Sequence, residues 1–319
     1  SLPPNQVEAR ALFEQAIELG DVNATVALAR EMSKGRFDDA GAAEAVALVT
    51  PLAATGNAGA KRAVADLLRS GGEGLDKDPI ASLAAYRELG EAGDVWAARA
   101  AAEMLIKGET GTADFAGGVA LLTPFADKGD ADVLTQIGDY FASPSFGNQS
   151  SKQAIGYYER AIAVGNQAAV TKLADLYRKG AADMPADPIA AQGYLEDAAT
   201  AGDNTARRAL ASMLLDGTLA PDTGRAVALY EAAIADGDIG AALTLANAYL
   251  NGTGLAKDAS RAVEVLTAGA EAGSAPAMVT LADVFRRGAD GVPADPARAF
   301  ALIERAAELD DSGALRRKA

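Results

Sequence analysis

The sequence predicts an all-α superhelical solenoid of paired antiparallel helices. Three observations carry this. Glycine recurs at Gly20, Gly56, Gly93, Gly129, Gly165, Gly202, Gly237 and Gly273, in steps of 35 to 37 residues, and a fixed period of that length marks stacked helix pairs. A second stop follows each glycine by fifteen residues, at Gly35, Gly71, Gly108, Gly180, Gly217, Gly252 and Gly288, with Pro144 once in glycine's place. Half of the 319 residues are apolar but only 5% are aromatic, and small side chains suit close packing of helix on helix.

The first helix of each unit, helix A, starts just after the leading glycine. Asp21, Asn57, Asp94, Asp130, Asn166, Asp203, Asp238 and Ser274 stand there. Each can accept a bond from an orphan N–H of the first turn, worth roughly 1 kcal/mol. Four residues past the glycine comes a small residue: Ala24, Ala60, Ala97, Val133, Ala169, Ala206, Ala241 or Ala277. Steps of four then reach Leu28, Val64, Ala101, Ile137, Leu173, Leu210, Leu245 or Leu281, and next Met32, Leu68, Leu105, Phe141, Tyr177, Leu214, Tyr249 or Phe285. That spacing places all three on one helical stripe.

The loop after helix A reads "GTGLAKD" at Gly252–Asp258, "GGEGLDKD" at Gly71–Asp78 and "GADGVPAD" at Gly288–Asp295. A phosphate-binding glycine turn should follow a strand. No strand pattern precedes these loops, so they are structural punctuation. Helix B then opens, at Asp78-Pro79, Asp187-Pro188 and Asp295-Pro296 with a capping Asp and a Pro that fits the first turn. Its buried stripe includes Val227, Tyr230 and Ile234 in one unit and Phe300, Ile303 and Ala307 in another. Pro51 and Pro124 sit late in helix B at a solvent-facing position, and each is expected to kink or shorten its helix. The loop "SPSFGNQSS" (Ser143–Ser151) breaks the glycine rule and is expected to expose Phe146.

The repeats run 20–55, 56–92, 93–128, 129–164, 165–201, 202–236, 237–272 and 273–309, read together as a single repeat domain over 1–319. A half repeat precedes them at 6–20, and Asp310 opens a truncated one at 310–319. The first residue is Ser1, and the reading is that a leader or preceding segment has been removed. Apolar Leu12, Phe13 and Ile17 in the first half repeat imply a missing capping element there, or cover from "SLPPN".

From Ala241 to Val263 the unit is written out as "AALTLANAYLNGTGLAKDASRAV". This resembles the Sel1-like repeat, a relative of the tetratricopeptide repeat with a longer inter-helix loop. The pattern is fullest in the repeats from Gly56, Gly165, Gly237 and Gly273, and sparser from Gly93, Gly129 and Gly202. The aromatic pair common in the family's helix B stands here once, as Tyr157 and Tyr158. Some members carry disulfides, which this chain cannot. The resemblance implies a right-handed α/α superhelix and a non-catalytic adaptor with protein partners. It also implies a place in the bacterial periplasm or cell envelope and a link to exopolysaccharide assembly or export. The rival functions are a periplasmic regulator of a signalling receptor and a carbohydrate-binding module.

Composition narrows the chemistry. With 29 basic and 44 acidic residues the net charge is −15, which disfavours nucleic acid and anionic membrane as partners. There is no cysteine and no histidine, so thiolate nucleophiles, histidine bases and Cys/His zinc sites are excluded. The longest uncharged run, Ile239–Ala256, reads amphipathic, not membrane-spanning. No carboxylate pair has a base, nucleophile or oxyanion donor beside it, so neither enzyme activity nor a cofactor is expected.

The candidate binding residues lie on the second face of helix A. Ten residues past the leading glycine stand Asp66, Glu103, Asp139, Asp175 and Asp283, with Arg30, Ser212 and Asn247 in the remaining repeats. They read either as a solvated face or as an acidic groove for a basic or amide-rich segment. Trp96 is the sole tryptophan, at a position that is small or polar in every other repeat, and it shares a helical face with Arg99 and Glu103. It reads either as a partner contact or as local packing into the gap left by small neighbours. The expected partner strip is Trp96, Arg99, Glu103, Asp66, Asp139 and Asp175. The carbohydrate reading uses Trp96 and the tyrosines as sugar platforms.

Overall fold

A computed structural model describes residues 4–37 and 41–309. The truncated repeat expected at 310–319 and the first three residues lie outside that range. The described chain is all-α and forms two compact units, Ser1–Gln149 and Ser150–Ala319. The division falls inside the loop that breaks the glycine rule.

The first unit holds α1 (Pro4–Glu18), α2 (Val22–Ser33), α3 (Ala42–Ala54), α4 (Ala58–Ser70), α5 (Pro79–Glu91), α6 (Val95–Lys107), α7 (Phe115–Asp127) and α8 (Ala131–Ala142), then a short 3-10 turn, Pro144–Phe146. The second holds α9 (Ser151–Ala163), α10 (Gln167–Lys179), α11 (Pro188–Thr200), α12 (Asn204–Leu215), α13 (Thr223–Ala235), α14 (Ile239–Asn251), α15 (Ala259–Glu271), α16 (Ala275–Arg287) and α17 (Pro296–Ala307). Even-numbered helices are helix A and odd-numbered ones helix B. Each unit is a solenoid of these pairs.

The helix starts are where local chemistry puts them. All eight expected helix A caps accept a backbone N–H, for example Asp94 from Ala97 and Ser274 from Ala277. Gly93, with φ of 99°, makes the left-handed turn between α5 and α6. In the "GTGLAKD" loop, Gly252 (φ 73°) closes α14 and Asp258 caps α15. The same loops share a further bond: the cap residue's N–H returns to a late carbonyl of helix A. It joins Asp78 to Leu68 at 2.8 Å, Asp187 to Tyr177 at 2.7 Å and Asp295 to Phe285 at 2.7 Å. The loop thus satisfies a carbonyl that the end of the helix leaves open.

Packing follows the stripe. The small residues Ala60, Ala97, Val133, Ala169, Ala206, Ala241 and Ala277 have no exposed surface, and Leu28, Ala101, Ile137, Leu173, Leu210, Leu245 and Leu281 are buried behind them. Val64, Leu68, Tyr177 and Tyr249 are only half-buried. Helix B has a small buried position of its own, four residues after its cap: Ala45, Ser82, Ala154, Ala191, Ala226, Ala262 and Ala299, with Gly118 in α7.

Several expectations need correction. Pro51 and Pro124 do not shorten their helices, since α3 and α7 have the 13 residues usual for this chain. The carbonyls they free belong to Ala47 and Ala120, which are exposed to solvent, so neither is left buried without a partner. Phe146 is half-buried, its ring edge-on to Tyr140 at 5.6 Å. Phe300 is 55% exposed. Its counterparts Val227 and Val263 are half-buried, but the chain beyond Leu309 lies outside the described residues. In α1, Phe13 and Ile17 pack on the core of the first unit, whereas Leu12 points outward.

Candidate functional site

Where the closest next-but-one helices pack on each other, they are helix A elements, which there form the inner row. α2 packs on α4, α10 on α12 and α14 on α16, while successive helix B elements do not pack on each other to that extent. The tenth residues after the leading glycines look out between these inner helices.

Trp96 opens α6 and is 44% exposed. Tyr86 of α5 meets the ring edge-on, with centroids 5.7 Å apart. The Arg62 guanidinium of α4 lies 4.9 Å from the ring centroid, a contact worth ~0.5–1 kcal/mol when partly exposed. Arg62 is held in turn by Asp94, the cap of α6. Its Nε is buried without a hydrogen-bond partner. The indole therefore keeps one open side while its orientation is fixed from the other.

The neighbouring polar groups are linked to this centre. The Tyr86 hydroxyl donates to Asp66 Oδ1 at 2.5 Å, and Arg30 of α2 approaches the same carboxylate at 4.0 Å. Burial pushes the Asp66 carboxyl above its ordinary range, against the pull of Tyr86 and Arg30. Burial, reinforced by that carboxylate, pushes the Tyr86 hydroxyl well up. Arg69 makes a fork to Glu109 at 2.8 and 2.5 Å and reaches Glu103 at 3.3 Å. Burial raises Glu103, but Lys107 at 2.5 Å and Arg69 outweigh it and hold the carboxyl below its usual range. Arg99 donates to Gln136 at 2.5 Å, and Gln136 donates to the Tyr140 hydroxyl at 2.8 Å.

The structure thus brings Asp66, Trp96 and Glu103 together through Tyr86 and the arginines of α4. Arg99 extends the strip to α8, where Asp139 is half-buried. Asp175 belongs to the second unit, paired with Arg178 and Lys179, each at 2.6 Å. The face that read either as solvated or as an acidic groove is a ladder of ion pairs. Glu103 with Lys107, Asp175 with Arg178 and Lys179, and Asp283 with Arg286 are each closed within one helix. Such i,i+3 and i,i+4 pairs neutralise the face locally.

Sequence reasoning passed over Arg62, Arg69 and Tyr86. One signal was there. Arginine recurs six residues after Gly56, Gly93 and Gly202, and Arg62 and Arg208 use that place to reach Asp94 and Asp238, the caps of the next helix A. No tyrosine is fully exposed, and Tyr157, Tyr177, Tyr194 and Tyr249 are half-buried. Tyr86, Tyr140, Tyr158 and Tyr230 are buried, and Tyr177 and Tyr194 stack on each other at 5.8 Å. Among the described residues no acidic cluster is placed to hold a metal ion, and no helix is long and apolar enough to cross a membrane.

The Sel1 repeat matches residues 1–21, 140–166, 167–203, 205–238, 240–274 and 275–311, more than half of the chain. Residues 22–139 fall outside the matched segments, including the repeat from Gly56, although α2 to α8 form helix pairs of the same kind. No curated protein matches the chain. Solved structures do. A Sel1 repeat protein from Oxalobacter formigenes is 22% identical, with a TM-score of 0.57 over 96% of this chain and 89% of that one. A protective antigen present in uropathogenic Escherichia coli strains and displaying an SLR fold is 21% identical, with a TM-score of 0.52 over 97% of this chain. The chain spans 66% of the length of that antigen. At these identities the likeness is one of fold.

Proposed function

The chain belongs to the Sel1 repeat family, and on that premise we propose that it is a non-catalytic protein-interaction scaffold whose first unit binds its partner across α4, α6 and α8 at Trp96. Proteins of this family are usually interaction scaffolds. The observation that carries the site is the half-open Trp96 ring, clamped by Tyr86 and Arg62 and flanked by Arg99 and Glu103. An aromatic already fixed in orientation loses little freedom on binding, and such residues anchor interfaces. The ion pairs around it favour a partner of mixed charge over a purely basic one. The same burial of the tyrosines favours a protein partner over a sugar.

The place of action proposed is the bacterial periplasm or cell envelope, with a part in exopolysaccharide assembly or export. This rests on the resemblance of the repeats, and cell fractionation with an antibody against the chain tests it. For the site, a photo-crosslinking amino acid at position 96 should capture a protein in envelope extract, whereas the same group at exposed Ala116 on α7 should not. Equal capture at both positions would remove the assignment to this strip.

A further inference from the structure

The inner face of the second unit departs from the ion-pair ladder in two successive repeats. Where α10 and α16 carry a carboxylate closed by an arginine or lysine of the same helix, α12 carries Ser212 and Asp216, and α14 carries Asn247 and Asn251. Ser212 is occupied by the Tyr230 hydroxyl at 2.7 Å. The other three are open. Asn247 and Asn251, one turn apart on α14, are exposed and have no side-chain partner among the described residues. Exposed Asp216 accepts only the N–H of Thr218, at 2.9 Å. All three border two adjoining hollows of about 350 and 210 Å³ that share Ser212 and Asp216. Thr171, Asp175 and Arg178 close one end, and Thr244 borders the other.

We propose that this groove binds an extended polypeptide segment, its main chain held by Asn247 and Asn251 and one lysine or arginine side chain by Asp216. An asparagine offers both a donor and an acceptor, the pair that a peptide unit needs. Two of them at i and i+4 present that pair twice along one helix. Main-chain bonds of this kind supply affinity, and the pocketed side chain supplies selectivity. The charge of the occupant follows from the lining. Arg178 is already held by Asp175, so Asp216 is the uncompensated charge, in a chain of net charge −15. The length follows from geometry. Packed helices lie ~8–10 Å apart and an extended chain rises ~3.3 Å per residue, so two such steps, from α10 past α12 to α14, take about five or six residues. A sugar is disfavoured because Tyr230, the aromatic lining the groove, is buried.

This inference rests on the scaffold reading, and its test is independent of Trp96. Random linear nine-residue peptides displayed on phage are panned on the full chain, and the enriched peptides are titrated by fluorescence anisotropy. The enriched peptides should share a lysine or arginine. The double variant Asn247→Ala, Asn251→Ala should bind them about tenfold or more weakly at any salt concentration. Asp216→Asn should weaken binding at low salt, with the effect fading as salt is added. Trp96→Ala should bind them unchanged. The substituted groove residues are all exposed, and circular dichroism checks that the helices remain. Enrichment equal to that on the double asparagine variant, or peptides indifferent to both substitutions, would overturn the proposal. If so, partner capture at position 96 would still leave the scaffold reading standing.

Discussion

Gly118 separates what the repeat pattern suggests from what the packing allows. It stands at the small buried position of helix B, which is Ala45, Ala154, Ala191, Ala226, Ala262 and Ala299 in six other repeats. On the pattern alone, Gly118→Ala should stabilise, since alanine is favoured over glycine inside a helix by ~1 kcal/mol. The structure predicts otherwise. A Cβ at 118 would lie 2.5 Å from Ile106 Cγ1 and 2.8 Å from the Ala102 carbonyl oxygen of α6. The isoleucine can turn, but the carbonyl belongs to a helix backbone, so α6 and α7 must separate by several tenths of an ångström. Overpacking of this kind costs ~1–3 kcal/mol, which cancels or exceeds the helix gain. Gly193 in α11 is the control, because it is exposed and a Cβ there meets nothing within 4 Å. Gly193→Ala should raise stability by up to ~1 kcal/mol. Urea unfolding followed by circular dichroism reads both variants. An equal rise in midpoint for the two would show that α6 and α7 are not as close as described.

Further outcomes follow from burial and charge. Ala169→Leu forces a large side chain into a site with no free surface and should cost ~1–3 kcal/mol, while the same change at exposed Ala168 should be nearly silent; equal melting shifts would contradict the helix register. Asp66 has a raised carboxyl pKa, so its ionised form works against the fold at neutral pH. Asp66→Asn keeps an acceptor for Tyr86 and should be more stable than the wild type at pH 7, with the advantage shrinking as pH falls through the raised pKa and gone below the ordinary aspartate value. Glu103 has the opposite shift, so its contribution is present at neutral pH and is lost as pH falls through its depressed pKa. Glu103→Gln should therefore be less stable at pH 7, and its deficit should also vanish in acid. Thermal melts at several pH values read both, and a shared sign for the two variants would refute the assignment of these shifts.

The helices were legible because their boundaries are set locally. A cap residue, a glycine and a four-residue stripe act within one or two turns, so Asp94, Gly93 and Ala97 carry their own instructions. The loop at Pro144, irregular in sequence, is also where the chain divides into compact units. The joins between one repeat and the next were harder to read. Arg69 meets Glu109 forty residues on, and Tyr86 closes over Asp66 from another helix. Such pairings depend on how helices pack, not on spacing within one of them. The acidic residues of helix A were visible, but not that Lys107 and Arg178 neutralise them. Asn247 stood out as a departure from the pattern, yet its open hydrogen-bonding groups became evident only once its neighbours were known to be paired.

The central claim is that Trp96 anchors a protein partner. Its most direct test is calorimetric titration of the partner captured at position 96 against wild type and Trp96→Ala, at low and high salt. Loss of a fixed aromatic anchor should cost about 2 kcal/mol, roughly thirtyfold in affinity, at both salt concentrations. Charge reversal at Asp139 should weaken binding mainly at low salt. Unchanged affinity in a Trp96→Ala variant of intact helical content would contradict the account.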